Sequence, residues 1–185
     1  MNTAASEYTR TAIALHWLIA LLIFCTFPLG IYMHELPFSP RQLRLVSYHK
    51  WLGVTIFMLA LARVVWRLRH PAPPPVAGLP AWQRVASIAT HHLLYLLLLV
   101  IPLSGWLMSS AKGVPTVYLG LVQLPDLLDK DKELGELLAR VHMGLNLALA
   151  ALVLLHSAAA LKHFFIDRDE VLGRMIPLLA KGRRQ

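Results

Sequence analysis

An all-α, integral membrane four-helix bundle is the fold class this sequence predicts, and three observations predict it. Only 15% of the 185 residues are charged, against about 25% in soluble domains. Hydrophobic residues make up 57%. They gather in four runs, at about 12–33, 47–66, 87–109 and 137–165, each long enough to cross a ~30 Å hydrocarbon layer as a helix. The length suits one membrane domain over residues 1–185 and leaves no room for an added soluble one. A net charge of +8 in such a chain is expected in basic cytoplasmic loops, not in a nucleic-acid-binding surface.

The first run, Ala12 to Met33, follows a short polar start. It is too long for a signal-peptide core and no small-x-small cleavage site follows it, so a retained span is expected. Pro28 and Gly30 near its far end are tolerable in a bundle, where neighbouring helices satisfy the freed backbone groups. Cys25, the single cysteine, cannot form an intrachain disulfide. With no C-x-x-C-H in the chain, it is expected to be a small buried apolar residue. His16 lies near the start of the run, beside Trp17 at the expected interface.

A loop with two prolines, residues 34–46, leads to the second run, with His49 in its first turn. Lys50 and Arg63 interrupt its apolar character, and both can snorkel to headgroups. The stretch RLRHPAPPPVAGLPAWQR is a proline-rich basic loop, and the second helix should end before Pro71. The third run opens on His91 and His92, read as polar caps or as groups facing a quinone or a haem propionate, and contains Pro102. Between the third and fourth runs, Val117–Leu124 is apolar but too short to span, so it should lie on the surface. The fourth run carries His142 and His156 with an uncharged stretch between them. The tail after it is amphipathic and basic, suited to a membrane surface.

Lysine and arginine set the orientation. With the N-terminus inside, Arg10, Arg63, Arg67, Arg69, Arg84, Lys162, Arg168, Arg174, Lys181, Arg183 and Arg184 are inner; Arg41, Arg44, Lys50, Lys112, Lys130, Lys132 and Arg140 are outer. The inner excess places both termini in the cytoplasm. His142 and His156 stand 14 residues apart, about 3.9 turns and roughly 21 Å of rise, on one helix face. With this topology His16 matches the depth of His156, near the inner surface, and His49 matches His142, near the outer one. An ionisable side chain inside a span points to function.

Zinc is one candidate for such pairs, but structural zinc wants four ligands, often with cysteine. The plainer alternative is hydrogen bonding between helices, which does not require two depth-matched pairs. A planar haem supplies four nitrogens and leaves two axial positions, and histidine is a common haem ligand. Two non-covalent haem b groups, one held by His16 and His156 and one by His49 and His142, therefore fit the pattern best. His163, about two turns beyond His156, shares its face and is a candidate propionate or quinone contact and a competing ligand. His34 and His70 are expected to be solvated.

The same residues carry a resemblance. Tyr8-Thr9-Arg10 is followed by His16-Trp17, and His49-Lys50 by Gly53. Arg63 and Arg67 precede Pro71. Ile101-Pro102 comes with Gly105 and Met108, His142 precedes His156, and Arg174-Met175-Ile176-Pro177 lies near the end. In this order the chain resembles the bacterial four-helix cytochrome b561 family of di-haem membrane cytochromes over nearly its whole length. The resemblance implies axial ligands at His16, His49, His142 and His156, a bacterial inner-membrane location, and electron exchange with ubiquinone. It also implies an oxidoreductase, since at least one member of the family looks like a superoxide oxidase that passes electrons to ubiquinone.

The expected function is therefore electron transfer between ubiquinone or ubiquinol and a periplasmic partner, with superoxide the leading candidate. The alternatives are a haem-b membrane anchor of a larger dehydrogenase or hydrogenase, and a haem-free transporter or scaffold. A basic mouth would speed encounter with an anion. Lys50 and Lys112 are the leading outer candidates, among Arg41, Arg44 and Arg140, with Asp126, Asp129, Asp131, Glu133 and Glu136 blunting the field. Arg10 and Arg67 are candidates for inner haem propionates, because guanidinium forks suit carboxylates.

Overall fold

The computed structural model describes residues 7–76 and 78–181; Arg183 and Arg184, counted above on the inner side, lie outside the described residues. Four long helices dominate: α1 (Arg10–Glu35), α2 (Pro40–Arg69), α3 (Ala81–Ala111) and α4 (Lys132–Lys162). Each starts before its apolar run. For α1, α2 and α4 the reason lies in local capping, which a hydropathy pattern does not register, whereas α3 starts directly after Pro80 without a side-chain cap. Thr9 Oγ1 accepts from Ala12 N at 3.2 Å, Ser39 Oγ accepts from Gln42 N at 3.2 Å with Pro40 at the first helical position, and Asp131 Oδ1 accepts from Leu134 N at 3.0 Å. His49 therefore sits about two and a half turns into α2 rather than in its first turn, and His91 and His92 lie nearly three turns into α3 instead of opening it.

The α3–α4 connection forms a small antiparallel hairpin, β1 (Val117–Tyr118) and β2 (Val122–Gln123). Leu119 and Gly120 turn it with φ of 54° and 72°, the primed geometry that matches strand twist. The hairpin is fastened to α2. Trp51 Nε1 donates to Val117 O at 2.6 Å, Thr55 Oγ1 and Tyr118 Oη share a hydrogen bond at 3.1 Å, and Lys50 Nζ donates to Val114 O at 2.9 Å. At the other end α4 widens into one π-helical turn, His163–Asp167, closed by Arg168 at φ 55°. The tail then folds back. Trp17 Nε1 donates to Met175 O at 2.9 Å and Arg174 Nη1 to Pro74 O at 2.7 Å, ahead of a short α5 (Pro177–Lys181).

The closest helix packing follows chain order, α1 on α2, α2 on α3 and α3 on α4. Two apolar clusters join the four. Ile19, Ile56, Ala60 and Leu98 form one, Leu97, Ile101 and Leu149 the other, and Ile23 packs against both. Each of these residues lies between the histidine levels along its own helix, so the core is a waist at mid-height. Outward faces remain apolar and exposed, with Phe24 66% and Leu154 72% accessible. Cys25 also faces outward and is exposed, contrary to the buried position expected for it; its turn of α1 points away from the waist. All four helices are long and apolar enough to cross a membrane, and the exposed apolar belt fits a chain solvated by lipid.

Ala60 is fully buried in the waist. Ala60→Leu should overpack it and cost about 1–3 kcal/mol, read as a lowered unfolding temperature in detergent; an unchanged transition would show that the waist is not close-packed.

Candidate functional site

Helices α1 and α4 carry His16 and His156, whose ring centroids lie 6.2 Å apart. Helices α2 and α4 carry His49 and His142, with centroids 6.4 Å apart. Neither helix pair belongs to the closely packed set, so these imidazoles meet across spaces their own helices do not close. The ring planes are inclined by 43° in the first pair and 82° in the second.

A metal bound between two imidazoles sets a definite spacing. A metal–nitrogen bond of about 2 Å, with roughly 1 Å more to the ring centre on each side, puts two axial rings roughly 6 Å apart. Both pairs meet that condition. The buried Nδ1 of His16 has no hydrogen-bond partner, so no interhelical hydrogen bond accounts for that ring. Of the histidines beside the pairs, His91 approaches His156 edge-on at 5.2 Å, inside the axial spacing, and its Nδ1 donates to Ser87 O at 2.7 Å. The donor set, two imidazoles per level among apolar walls, fits haem b better than a four-ligand zinc site.

Two glycines make room for the second pair. A Cβ at Gly30 would lie 3.0 Å from His49 Cε1, and one at Gly105 would lie 3.0 Å from His142 Cε1. Each ring is thus laid against a bare stretch of the preceding helix of its own hairpin. Four residues before each glycine is a carbonyl that its imidazole faces: Thr26 O for His49 and Ile101 O for His142, where Nδ1 donates at 3.1 Å. His142 Nδ1 also lies 2.9 Å from Ser104 Oγ. The two hairpins are alike in this respect, and the likeness has a sequence trace. The 14-residue interval recurs on every helix, as His16 and Gly30, His49 and Arg63, His91 and Gly105, and His142 and His156.

This pattern marks residues that the sequence reading left aside. Arg63 stands at the level of His16 and within electrostatic reach of both His16 and His156. Its Nη1 donates to Ala12 O at 2.8 Å and its Nε to Tyr95 Oη at 3.1 Å. The interval could have found Gly30, Gly105 and Arg63. Nothing in the sequence singles out Ser104 or Tyr95.

The basic candidates are placed differently. Lys50 Nζ is held by Val114 O and Pro115 O beside a small recess lined by Ser47 and Trp51. Lys112 pairs with Glu136 at 3.2 Å, and its stem lies on Gly135. Arg41 donates to Tyr32 Oη at 2.7 Å. Arg10 and Arg67 are exposed at the His16 end of the bundle, and Arg67 lies within electrostatic reach of His91. His163 does not turn to the His156 level as a free ring, because Asp169 Oδ2 holds its Nδ1 at 2.6 Å and Asp167 Oδ2 lies at 3.2 Å. His34 is exposed, and the exposed His70 stacks on Trp66 with centroids 4.1 Å apart.

Comparison with known proteins gives matches over most of the chain. The family described as prokaryotic cytochrome b561 matches residues 7–178. Cytochrome b561 homolog 2 of Escherichia coli (strain K12) is 34% identical over 171 residues, 92% of this chain and 91% of the relative. Cytochrome b561 homolog 1 of the same organism is 28% identical over 181 residues, covering 93% and 98%. A protein of Yersinia pestis named probable superoxide oxidase CybB is 28% identical over 179 residues, covering 92% and 96%.

Because the His142 ring lies against bare backbone, Gly105→Val should push it aside while leaving the four helices formed. The expected result is about 1–3 kcal/mol of lost stability with unchanged helical circular dichroism and a lowered haem content. Full haem content in this variant would refute the cradle.

Proposed function

The chain belongs to the prokaryotic cytochrome b561 family, and we propose that it is a single-domain, di-haem b-type electron-transfer protein of the bacterial inner membrane. Its reaction is electron exchange between ubiquinone or ubiquinol and a periplasmic partner, with superoxide as the favoured partner. Membrane electron transfer follows from the family itself. The di-haem reading rests on one observation above all, the two imidazole pairs with centroids 6.2 and 6.4 Å apart on helices that do not close on each other.

In this reading His16 and His156 hold the inner haem and His49 and His142 the outer one, with both termini cytoplasmic. Once bound, haem iron supplies the one-electron chemistry. The chain's own residues do the rest. The imidazoles fix the depth of each site, and the glycines at 30 and 105 let the outer pair stand close to backbone. The waist of Ile19, Ile56, Ala60, Leu98 and Leu149 keeps water from the layer between the levels. Arg63, tied to Tyr95 and the Ala12 carbonyl, places a fixed positive charge at the inner level, with Arg67 and Arg10 available near that end for propionate carboxylates.

The superoxide reading draws on likeness to the Yersinia pestis protein and on the outer cations. Lys50, held by neutral loop carbonyls, gives the outer mouth positive charge, while the charge of Lys112 is balanced by Glu136. An anion arriving there would meet a charge already fixed in place, which favours encounter without reorganisation.

Two measurements test these claims. In reduced-minus-oxidised spectra, His16→Ala and His156→Ala should remove the same b-type component, and His49→Ala and His142→Ala the other; a shared loss in His16→Ala and His142→Ala would contradict the pairing. Mixed with generated superoxide, the haem-loaded protein should be reduced within the mixing experiment, and Lys50→Gln should slow this more at low than at high ionic strength. No reduction of fully loaded protein would rule out superoxide as donor.

A further inference from the structure

Of the four facing imidazoles, His142 stands apart in its surroundings. Its Nδ1 lies 2.9 Å from Ser104 Oγ and 3.1 Å from Ile101 O. Ser104 is buried, 5% exposed, and its hydroxyl already donates to Ile101 O at 2.7 Å. With its proton spent there, the hydroxyl offers only lone pairs to the ring, and the carbonyl can only accept. Nδ1 must therefore carry the hydrogen of the neutral ring, and Nε2 keeps the lone pair that a metal needs. The other three imidazoles lack this support. His16 Nδ1 has no partner, His49 Nδ1 has only the Thr26 carbonyl beside it and no hydroxyl, and His156 has no hydrogen bond among the described residues.

An imidazole that donates from Nδ1 is a more basic ligand through Nε2. A more basic ligand favours the oxidised, more positive iron and lowers its reduction potential. At the other level the Arg63 guanidinium acts on His16 and His156, and a fixed positive charge favours the reduced iron. Lys50, the cation adjacent to His49 in the chain, is turned to the loop carbonyls of Val114 and Pro115. The two effects act in the same sense.

We infer that Ser104 is a positioning residue which, with the Ile101 carbonyl, fixes the proton of His142 and holds the His49/His142 site at the lower reduction potential of the two. The inference rests on the di-haem reading above. Its consequence is a polarity: electrons received at the His49/His142 level run downhill to the His16/His156 level. The bundle is thus biased towards a donor at the hairpin end and an acceptor at the Trp17 end. The class of reaction that feeds it is one-electron oxidation of a strong small reductant at the hairpin end.

Spectroelectrochemical titration of the purified haem-loaded protein tests this. The wild type should show two midpoint potentials, and the single component kept by His49→Ala should be the upper one. Ser104→Ala should raise the lower midpoint and leave the upper in place. Ser104→Thr, which keeps the hydroxyl, should restore the wild-type value. Ser104→Cys, a weaker acceptor, should give a smaller shift in the same direction, and it carries the test if the alanine variant fails to hold haem. Two haems whose potentials ignore Ser104→Ala and Ser104→Cys would overturn the tuning role and leave the di-haem reading intact, as would a threonine variant that behaves like alanine. If His49→Ala keeps the lower component, the polarity is overturned. A wild-type protein without b-type haem would overturn both.

Discussion

Two imidazole pairs have to meet across spaces that their own helices leave open, and the rest of the bundle is arranged around that requirement. The centroid separations of 6.2 and 6.4 Å suit two rings with an atom between them. To hold rings at that distance, α4 must stand off from α1 and α2 at two heights. The chain manages this by packing α3 against both α2 and α4 and by closing all four helices only at the waist. The apolar clusters that join the helices lie between the two levels, and the histidines lie above and below them. This division suits a protein whose outer surface is solvated by lipid, since helix association there depends on packing and a few polar contacts.

The two ends of the bundle are not equivalent. At the hairpin end, two glycines bring imidazoles against backbone, and one of them is locked by a buried hydroxyl. At the other end, an arginine shared between Ala12 and Tyr95 stands where a fourth histidine would fall by the 14-residue rule. His91 occupies the position on α3 that His16 occupies on α1, yet its ring lies edge-on to His156 and its Nδ1 is tied to Ser87. A likeness between the hairpins α1–α2 and α3–α4 has thus been turned to different uses at the two levels.

Much of this could be read from the sequence, for identifiable reasons. Membrane helices announce themselves by length and apolarity, and a 14-residue interval on one helix fixes which rings share a height. Lysine and arginine bias then relates the heights on different helices. Helix starts are hidden from hydropathy where Thr9, Ser39 and Asp131 cap turns too polar to register in it. The hairpin at 117–123 leaves little trace in the sequence because its turn puts Leu119, not asparagine or aspartate, at positive φ. Cys25 was expected inside because a helix in lipid offers no polar face by which to tell out from in. Ser104 was silent for a different reason: a serine in an apolar run usually bonds back to its own helix. Here the hydroxyl does that through Ile101 and serves a ring on another helix as well.

The central claim is that one chain holds two haem b groups, one at each level. Extraction of the purified, detergent-solubilised protein for haem, set against amino-acid analysis of the same sample, measures this directly. The account predicts two haem b per chain. One haem or none in protein that retains its helical content and has been supplied with haem during expression would contradict it.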